Sequence, residues 1–247
     1  MIDVLGTVRD RSHPCLALRL HLPLSLVPGP RGTGSRLVQR LSYWHSRFFF
    51  GGFVRMRVRG REHCPRTGPF LLAANHLSPF DPFLLTLATR RWIDWVAMVE
   101  LYRRPAAAWY WDALAAIPVD RARVSRAAAV TILKRLADGR VVGIFPEGGI
   151  RTREQSVLAG GGIHAGACRL ALAVGVPLVP VAIVGSETMT GVRGWLWPRR
   201  AFKVDVIFGA PLAAPAGKTQ DAKIAAEERK VLLAAAMQEL GRLADSG

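Results

Sequence analysis

Cysteine is scarce in this sequence, and its placement excludes two kinds of scaffold. The 247 residues contain three cysteines, Cys15, Cys64 and Cys168, which are odd in number and form no CxxC pair. This spacing argues against a disulfide framework and against a cysteine-rich zinc site. We therefore expect a fold that is held by its hydrophobic core, in a reducing compartment.

Lysine and acidic residues are also few, and this imbalance points to an anionic partner. Only five of the 34 basic residues are lysines, and with 18 acidic residues the formal net charge is +16. Arginine binds phosphate through its planar fork, but phosphate occurs in nucleic acid, nucleotides and lipid headgroups alike. The mean hydropathy of +0.19 is unusual for a simple nucleic-acid binder. Together, the two features favour a lipid surface over nucleic acid.

No uncharged apolar segment is long enough to predict a helix that crosses a bilayer. The longest such stretch, residues 170–186, contains Gly175, Pro177 and Pro180, and therefore predicts a helix, a turn and a strand. Residues 1–11 lack the apolar core of a secretory signal peptide. We expect a peripheral or monotopic protein on the cytoplasmic face of the cell membrane.

Residues 35–50 form the first amphipathic segment, with apolar residues at helical spacing. Four of these share one face of the predicted helix: Leu37, Leu41, Trp44 and Phe48. Three arginines lie beside that face: Arg36, Arg40 and Arg47. The pattern is typical of a helix in the membrane interface, and equally of a helix that docks its apolar face on the core. We predict an interfacial segment over residues 1–53 and the main domain over residues 54–247.

The rest of the chain alternates short apolar segments with helical ones. Residues 54–59 alternate strictly between apolar residues and arginine, which predicts a half-buried strand. Buried strands are predicted over residues 70–74, 93–98, 117–119, 141–145 and 178–184, and helices over residues 81–89, 126–138 and 163–174. This alternation predicts a single α/β domain with a largely parallel sheet flanked by helices.

The first segment with potential chemistry follows the strand predicted over residues 70–74. Asn75 and His76 stand at the end of this strand, and Asp81 follows five residues after the histidine. A carboxylate that binds one ring nitrogen fixes the tautomer and leaves the other nitrogen as a general base for an alcohol. Taken alone the pattern is weak, because a core histidine followed by a helix-capping aspartate has the same spacing.

A second segment places polar groups at another strand end. Residues 145–151 have the sequence Phe-Pro-Glu-Gly-Gly-Ile-Arg, so a carboxylate and a guanidinium follow the strand predicted over residues 141–145. Open α/β sheets bind ligands at the carboxyl ends of their strands. Arg121 follows the strand predicted over residues 117–119 and is expected at the same edge.

Four ordered blocks resemble the lysophospholipid acyltransferase family, the glycerolipid acyltransferases related to 1-acylglycerol-3-phosphate acyltransferase. The blocks are residues 75–81, 117–121, 145–151 and 179–183. The resemblance implies His76 as the general base and Asp81 as its orienting partner. It also implies a set of substrate-binding residues: Asn75, Arg121 for the acceptor phosphate, Glu147, Gly148 and Arg151.

This sequence departs from the family pattern at two positions. Gly149 and Ile150 delay the arginine of the third block by one residue, so Arg153 is an alternative to Arg151 as the phosphate ligand. His164 stands where the family often has a basic residue, and an imidazole is only partly charged near neutral pH. These departures affect the expected acceptor more than the expected reaction.

The resemblance implies transfer of a fatty acyl group from a thioester to a lipid hydroxyl, without a metal or a bound cofactor. Acyl-CoA and acyl carrier protein are the possible donors. The expected acceptor is a lysophospholipid at the membrane surface, with 1-acylglycerol-3-phosphate foremost, and a lyso-aminolipid or a glycolipid as the alternative. A non-catalytic basic protein that binds membrane or nucleic acid is the competing hypothesis of another class, although no known nucleic-acid-binding motif is present.

Overall fold

The computed structural model describes residues 35–120, 126–191, 202–212 and 222–245. Residues 1–34, most of the predicted interfacial segment, and Arg121 lie outside these ranges.

Seven strands form one sheet in the described part of the chain. They are β1 (Val54–Arg59), β2 (Phe70–Ala74), β3 (Ile93–Met98), β4 (Ile117–Val119), β5 (Val141–Ile144), β6 (Leu178–Val184) and β7 (Phe202–Phe208). Their order across the sheet is β1-β7-β6-β2-β5-β3-β4. Neighbouring strands are parallel except for the antiparallel pair β6 and β7. The predicted α/β domain with a largely parallel sheet is confirmed.

The described helices cover both faces of this sheet. They are α1 (Arg36–Phe53), α2 (Asp81–Thr89), α3 (Pro105–Ala113), α4 (Arg126–Ala137), α5 (Gly166–Val174) and α6 (Ala222–Asp245). None of them combines the length and the apolarity that crossing a bilayer requires.

The central strand β2 shows why the sheet is layered between helices. All five of its residues are fully buried. Phe70, Leu72 and Ala74 pack in one cluster with residues of α1 and α2, whereas Leu71 and Ala73 pack in another with residues of α4, α5 and α6. Because side chains alternate across a strand and both faces are covered, β2 carries no polar residue. The strand therefore ends at the first polar residue, Asn75.

Helix α1 turns a mixed face that includes Gln39, Ser46 and Phe50 toward the protein, and its predicted apolar face outward. Gln39 and Ser46 are buried, and the Gln39 amide donates a hydrogen bond to the Ala113 carbonyl of α3 (3.5 Å). The four residues of the predicted apolar face, named the α1 stripe here, are between 51% and 75% exposed: Leu37, Leu41, Trp44 and Phe48. The interpretation in which this face docks on the core is therefore wrong. The domain division at residue 53 stays a prediction. Phe50, which precedes this boundary, packs in the same hydrophobic cluster as residues of β2.

Candidate active site

Asn75 fixes the start of the loop that leaves β2. Its side-chain amide donates to the Ile183 carbonyl, and its side-chain oxygen accepts from the Ile183 N–H, both at 2.8 Å. These two bonds continue the pairing of β2 with β6 beyond the last backbone partners, Ala74 and Val181. Asn75 is fully buried and does not line the cavity described below. A contact between Asn75 and the substrate stays a prediction. The contact that the structure shows is the pair of hydrogen bonds with the backbone of Ile183.

His76 and Asp81 form the expected pair. Nδ1 of His76 lies 2.9 Å from Oδ2 of Asp81. The same oxygen accepts hydrogen bonds from the backbone N–H groups of Leu77 (2.8 Å) and Ser78 (2.9 Å). Asp81 is the first residue of α2, where the helix dipole favours a negative charge. Its other oxygen, Oδ1, is buried and has no hydrogen-bond partner among the described residues.

This geometry determines which ring nitrogen is available. An ionised carboxylate only accepts hydrogen bonds, so Nδ1 of His76 carries the proton and donates it to Asp81. Nε2 of the neutral ring is then an unprotonated acceptor. The His76 side chain is 15% exposed and lines a cavity. An alcohol that enters this cavity meets a nitrogen able to take its proton.

Glu147 ties the two loops of the site together. Its Oε2 accepts from the His76 N–H at 2.7 Å, and its Oε1 accepts from the Ser156 hydroxyl (2.6 Å) and the Val157 N–H (2.7 Å). Glu147 is buried and does not line the cavity. The geometry gives it a positioning contact with the backbone of His76, and a direct contact with substrate stays a prediction.

The turn after Glu147 lies beside His76 and contacts its backbone. Gly148 has a φ of 74° and lines the cavity. A Cβ at this position would lie 3.2 Å from the ring of His164, so the imidazole of His164 lies directly beside the turn. The Arg151 N–H donates to the His76 carbonyl (2.8 Å), and its guanidinium donates to the Glu147 carbonyl (3.1 Å). Both backbone groups of His76 are therefore held by this second loop.

The structure brings most of the predicted residues to the carboxyl ends of β2 and β5. Those described are Asn75, His76, Asp81, Glu147, Gly148 and Arg151. Arg121 lies outside the described residues. Arg153 pairs instead with Glu187, at 3.6 Å.

An apolar cavity of about 540 Å³ opens beside His76. Its walls come mainly from α2, from β3 and the segment between β3 and β4, and from residues 148–150, named the glycine turn here. They include Phe83, Trp92, Leu101, Trp111, Leu114 and Ile150. Ser42 and Ser46, on the inner face of α1, also line it. Sequence reasoning missed this cavity, because its walls use the same residue types as the core.

Both cysteines in the described part of the chain, Cys64 and Cys168, are buried free thiols. Burial raises the pKa of the thiols of Cys64 and Cys168, so neither is a ready thiolate nucleophile at neutral pH. Cys15 lies outside the described residues. Within those residues, no group of three or more histidine, cysteine and acidic side chains is arranged to hold a metal ion.

The site lies in a segment of the chain that matches a known protein family. A family model described as Acyltransferase matches residues 55–184. The chain belongs to the acyltransferase family. The match contains both loops of the site and the His76–Asp81 pair. The fold of this family member is also similar to the crystal structure of the 1-acyl-sn-glycerophosphate acyltransferase PlsC from Thermotoga maritima. That likeness has a TM-score of 0.62 and 21% identity, and covers 85% of this chain and 80% of PlsC.

Similar sequences include named enzymes. The 1-acyl-sn-glycerol-3-phosphate acyltransferase alpha of Mus musculus is 29% identical over 170 residues, which are 66% of this chain and 56% of that protein. The 1-acyl-sn-glycerol-3-phosphate acyltransferase of Bacillus subtilis is 30% identical over 134 residues, covering 54% of this chain and 64% of that protein. An uncharacterized protein of Mycobacterium leprae is 33% identical to this chain over 188 residues. The match covers 69% of this chain and 48% of that protein, so the chain spans about half of the relative's length.

Proposed function

We propose that this chain transfers a fatty acyl group from an acyl thioester to the hydroxyl of a lysophospholipid, with 1-acylglycerol-3-phosphate as the expected acceptor. The observation that carries the proposal is the position of His76, paired with the buried Asp81 and open to an apolar cavity. The names of the mouse and Bacillus subtilis relatives support the same acceptor.

The His76–Asp81 pair supplies general-base catalysis. Nε2 of His76 takes the hydroxyl proton while the acceptor oxygen forms a bond to the thioester carbonyl carbon. The resulting tetrahedral intermediate then breaks its C–S bond, and the imidazolium returns the proton to the leaving thiolate. Asp81 stabilises the imidazolium between the two steps. Such a base contributes a factor of about 10² to 10⁴ to the rate.

The apolar cavity fits the acyl chain of the donor. Its walls carry mainly aliphatic and aromatic side chains, and it reaches from His76 to the inner face of α1. Each methylene group that leaves water contributes about 0.8 kcal/mol to binding. The reactive carbonyl then lies at the His76 end. Acyl-CoA and acyl carrier protein present the same thioester and are both candidate donors.

Arginine beside the glycine turn suits the acceptor headgroup. Arg151 is exposed, and its backbone is fixed by the His76 carbonyl. A guanidinium in this position can bind phosphate without the cost of burial. Arg121 is the second candidate ligand for the phosphate. A lyso-aminolipid or a glycolipid is the alternative acceptor.

Helix α1 supports a peripheral position on a membrane, and the cytoplasmic face stays the expectation from the sequence. The α1 stripe is exposed, and two of its rings, those of Trp44 and Phe48, stack on each other at 5.9 Å. The three flanking arginines are all exposed on the same side of the stripe: Arg36, Arg40 and Arg47. An interfacial helix has this arrangement, with its apolar side among acyl chains and its cations on lipid phosphates.

An acceptor and donor screen tests the reaction. The full chain is incubated with a radiolabelled acyl-CoA or acyl carrier protein, and with lysophospholipids of different headgroups in vesicles. We expect a diacyl product from 1-acylglycerol-3-phosphate, separated by chromatography, together with release of free thiol. Transfer only to a lyso-aminolipid or a glycolipid would contradict 1-acylglycerol-3-phosphate as the acceptor and favour the alternative. Absence of thioester consumption with both donors would contradict the proposal and favour a non-catalytic lipid-binding protein.

A substitution in the α1 stripe tests the membrane position. Phe48→Glu places a charge on a side chain that is 75% exposed. Removing a phenyl ring from the membrane loses about 1.5 to 3 kcal/mol, so binding to anionic vesicles should fall about tenfold or more, while the thermal midpoint stays unchanged. Val231→Glu on α6, which is also largely exposed, is the matched control for added charge. Equal binding of both variants in a sedimentation assay would contradict the proposed orientation.

A further inference from the structure

The rings of Trp95, Phe145 and His76 lie nearly parallel in one stack, with the His76 imidazole at its end. The rings of His76 and Phe145 have centroids 3.9 Å apart and planes 10° apart. Phe145 stacks in turn on Trp95, at 4.8 Å and 10°. All three residues line the cavity. The imidazole is thus held at its edge by Asp81 and on one face by an aromatic pair.

Gly143 allows Trp95 to occupy this position. The two residues are partners in the register of β3 and β5. A Cβ at position 143 would lie 2.5 Å and 2.6 Å from Cε3 and Cζ3 of the Trp95 ring. The same Cβ would lie 2.7 Å from Cγ2 of Ile93. Real side chains do not approach this closely, so a larger residue at 143 would crowd both side chains, with the indole the nearer of the two. Glycine is needed here for the close approach and not for an unusual backbone angle.

A hydrogen bond fixes the other side of the indole. Nε1 of Trp95 donates to the Thr86 hydroxyl at 3.0 Å, and that hydroxyl donates to the Pro82 carbonyl at 2.7 Å. Pro82 follows Asp81 in α2. The indole is therefore fastened both to the sheet and to the helix that carries the partner of His76.

We propose that Trp95, seated on Gly143, is a positioning residue for His76 and acts through Phe145. The proposal rests on the acyl transfer proposed above. Asp81 fixes one ring nitrogen, but a single hydrogen bond leaves the ring free to tilt about it. The stack fixes the ring plane, and therefore the direction of Nε2. Its π faces also lie beside the imidazolium that forms during proton removal, a favourable arrangement for a cation.

The competing explanation is that Trp95 is only a wall of the cavity. A wall residue changes the binding of the acyl chain, and its effect depends on chain length. A positioning residue changes the rate of the chemical step equally for every chain that binds. Steady-state kinetics with a short-chain and a long-chain acyl-CoA separate the two roles.

The experiment compares three substitutions. Trp95→Leu should lower kcat about three- to thirtyfold for both donors, because the stack is lost. Trp95→Phe keeps a ring in the stack and should restore most of kcat. Gly143→Ala should lower kcat in the same direction as Trp95→Leu, because the added methyl group displaces the indole. Trp92→Leu is the matched comparison. Trp92 lines the same cavity and lies outside the stack of His76, Phe145 and Trp95, so its loss should fall on the donor KM.

A spectroscopic readout keeps the test independent of turnover. Aromatic stacking shifts the NMR resonances of the His76 ring protons by ring currents, and the spectrum of His76→Gln assigns them. Trp95→Leu should move these resonances toward their positions in an unstacked imidazole, and Trp95→Phe should not. Unmoved resonances, or a loss confined to the donor KM, would overturn the positioning role. A wild-type protein with shifted resonances and no acyl transfer would overturn the proposed function alone.

Discussion

Replacing Asp81 with asparagine removes the negative charge beside His76 and preserves the local shape. Among the described residues, the hydrogen bonds to the Asp81 carboxylate converge on Oδ2, from Nδ1 of His76 and from the N–H groups of Leu77 and Ser78. Oδ1 is buried and has no partner among the described residues. An asparagine can therefore place its carbonyl oxygen at the position of Oδ2 and its amide group at the position of Oδ1. All three donors keep their acceptor.

The expected cost falls on catalysis. Opposite unit charges about 4 Å apart attract each other by about 4 kcal/mol at an effective dielectric constant of about 20. The imidazolium that forms during proton removal loses this attraction in the variant. Since about 1.36 kcal/mol corresponds to a tenfold change in rate, kcat should fall about 10³-fold. The free energy of unfolding should fall by only about 1 to 2 kcal/mol, because a neutral acceptor remains.

Two measurements on the same preparation check this prediction. Thiol release gives kcat, and urea denaturation gives the free energy of unfolding. Glu228→Gln, an exposed residue on α6, controls for the loss of one negative charge. A kcat within about threefold of wild type, for a folded Asp81→Asn protein, would refute the role of the carboxylate charge. Complete unfolding of the variant would refute the argument that its shape is preserved.

Two further substitutions address the second loop. Glu147→Gln must turn an amide donor toward His76 N–H or toward the Ser156 and Val157 donors, so the free energy of unfolding in urea should fall by about 1 to 3 kcal/mol and kcat should fall with it. Unchanged stability and kcat would contradict the positioning contact. His164→Lys places a permanent cation beside the glycine turn and should lower the KM for 1-acylglycerol-3-phosphate about two- to fivefold. An equal change for a zwitterionic lysophospholipid would contradict this reason.

The parts of the fold that sequence predicts well are those with local signals. The bounds of β2 match the expectation because its apolar run is delimited by Pro69 and Asn75. Helix α2 has the predicted bounds, Asp81–Thr89, although Phe80 and not Asp81 occupies its N-cap position. The His76–Asp81 contact is equally local, because five positions separate the partners. Short-range chemistry of this kind is visible in one sequence.

Other features depend on contacts between distant residues. The sequence does not predict helix α3, because its nine residues are mostly apolar on all sides and carry no amphipathic pattern. The bond from the His76 N–H to Glu147 spans 71 positions, and a backbone donor leaves no mark in the sequence. The packing of the Trp95 ring against Gly143 depends on the register of β3 against β5, and the composition of either strand does not specify this register.

The measurement that tests the account most directly is acyl transfer by His76→Ala in full-length protein. The ring lines the cavity and is 15% exposed, so its removal should leave the protein folded and still able to bind anionic vesicles. Thiol release under saturating donor and acceptor should fall by a factor of about 10² to 10⁴. Near-normal turnover in a folded, vesicle-bound variant would contradict the assignment of His76 as the general base.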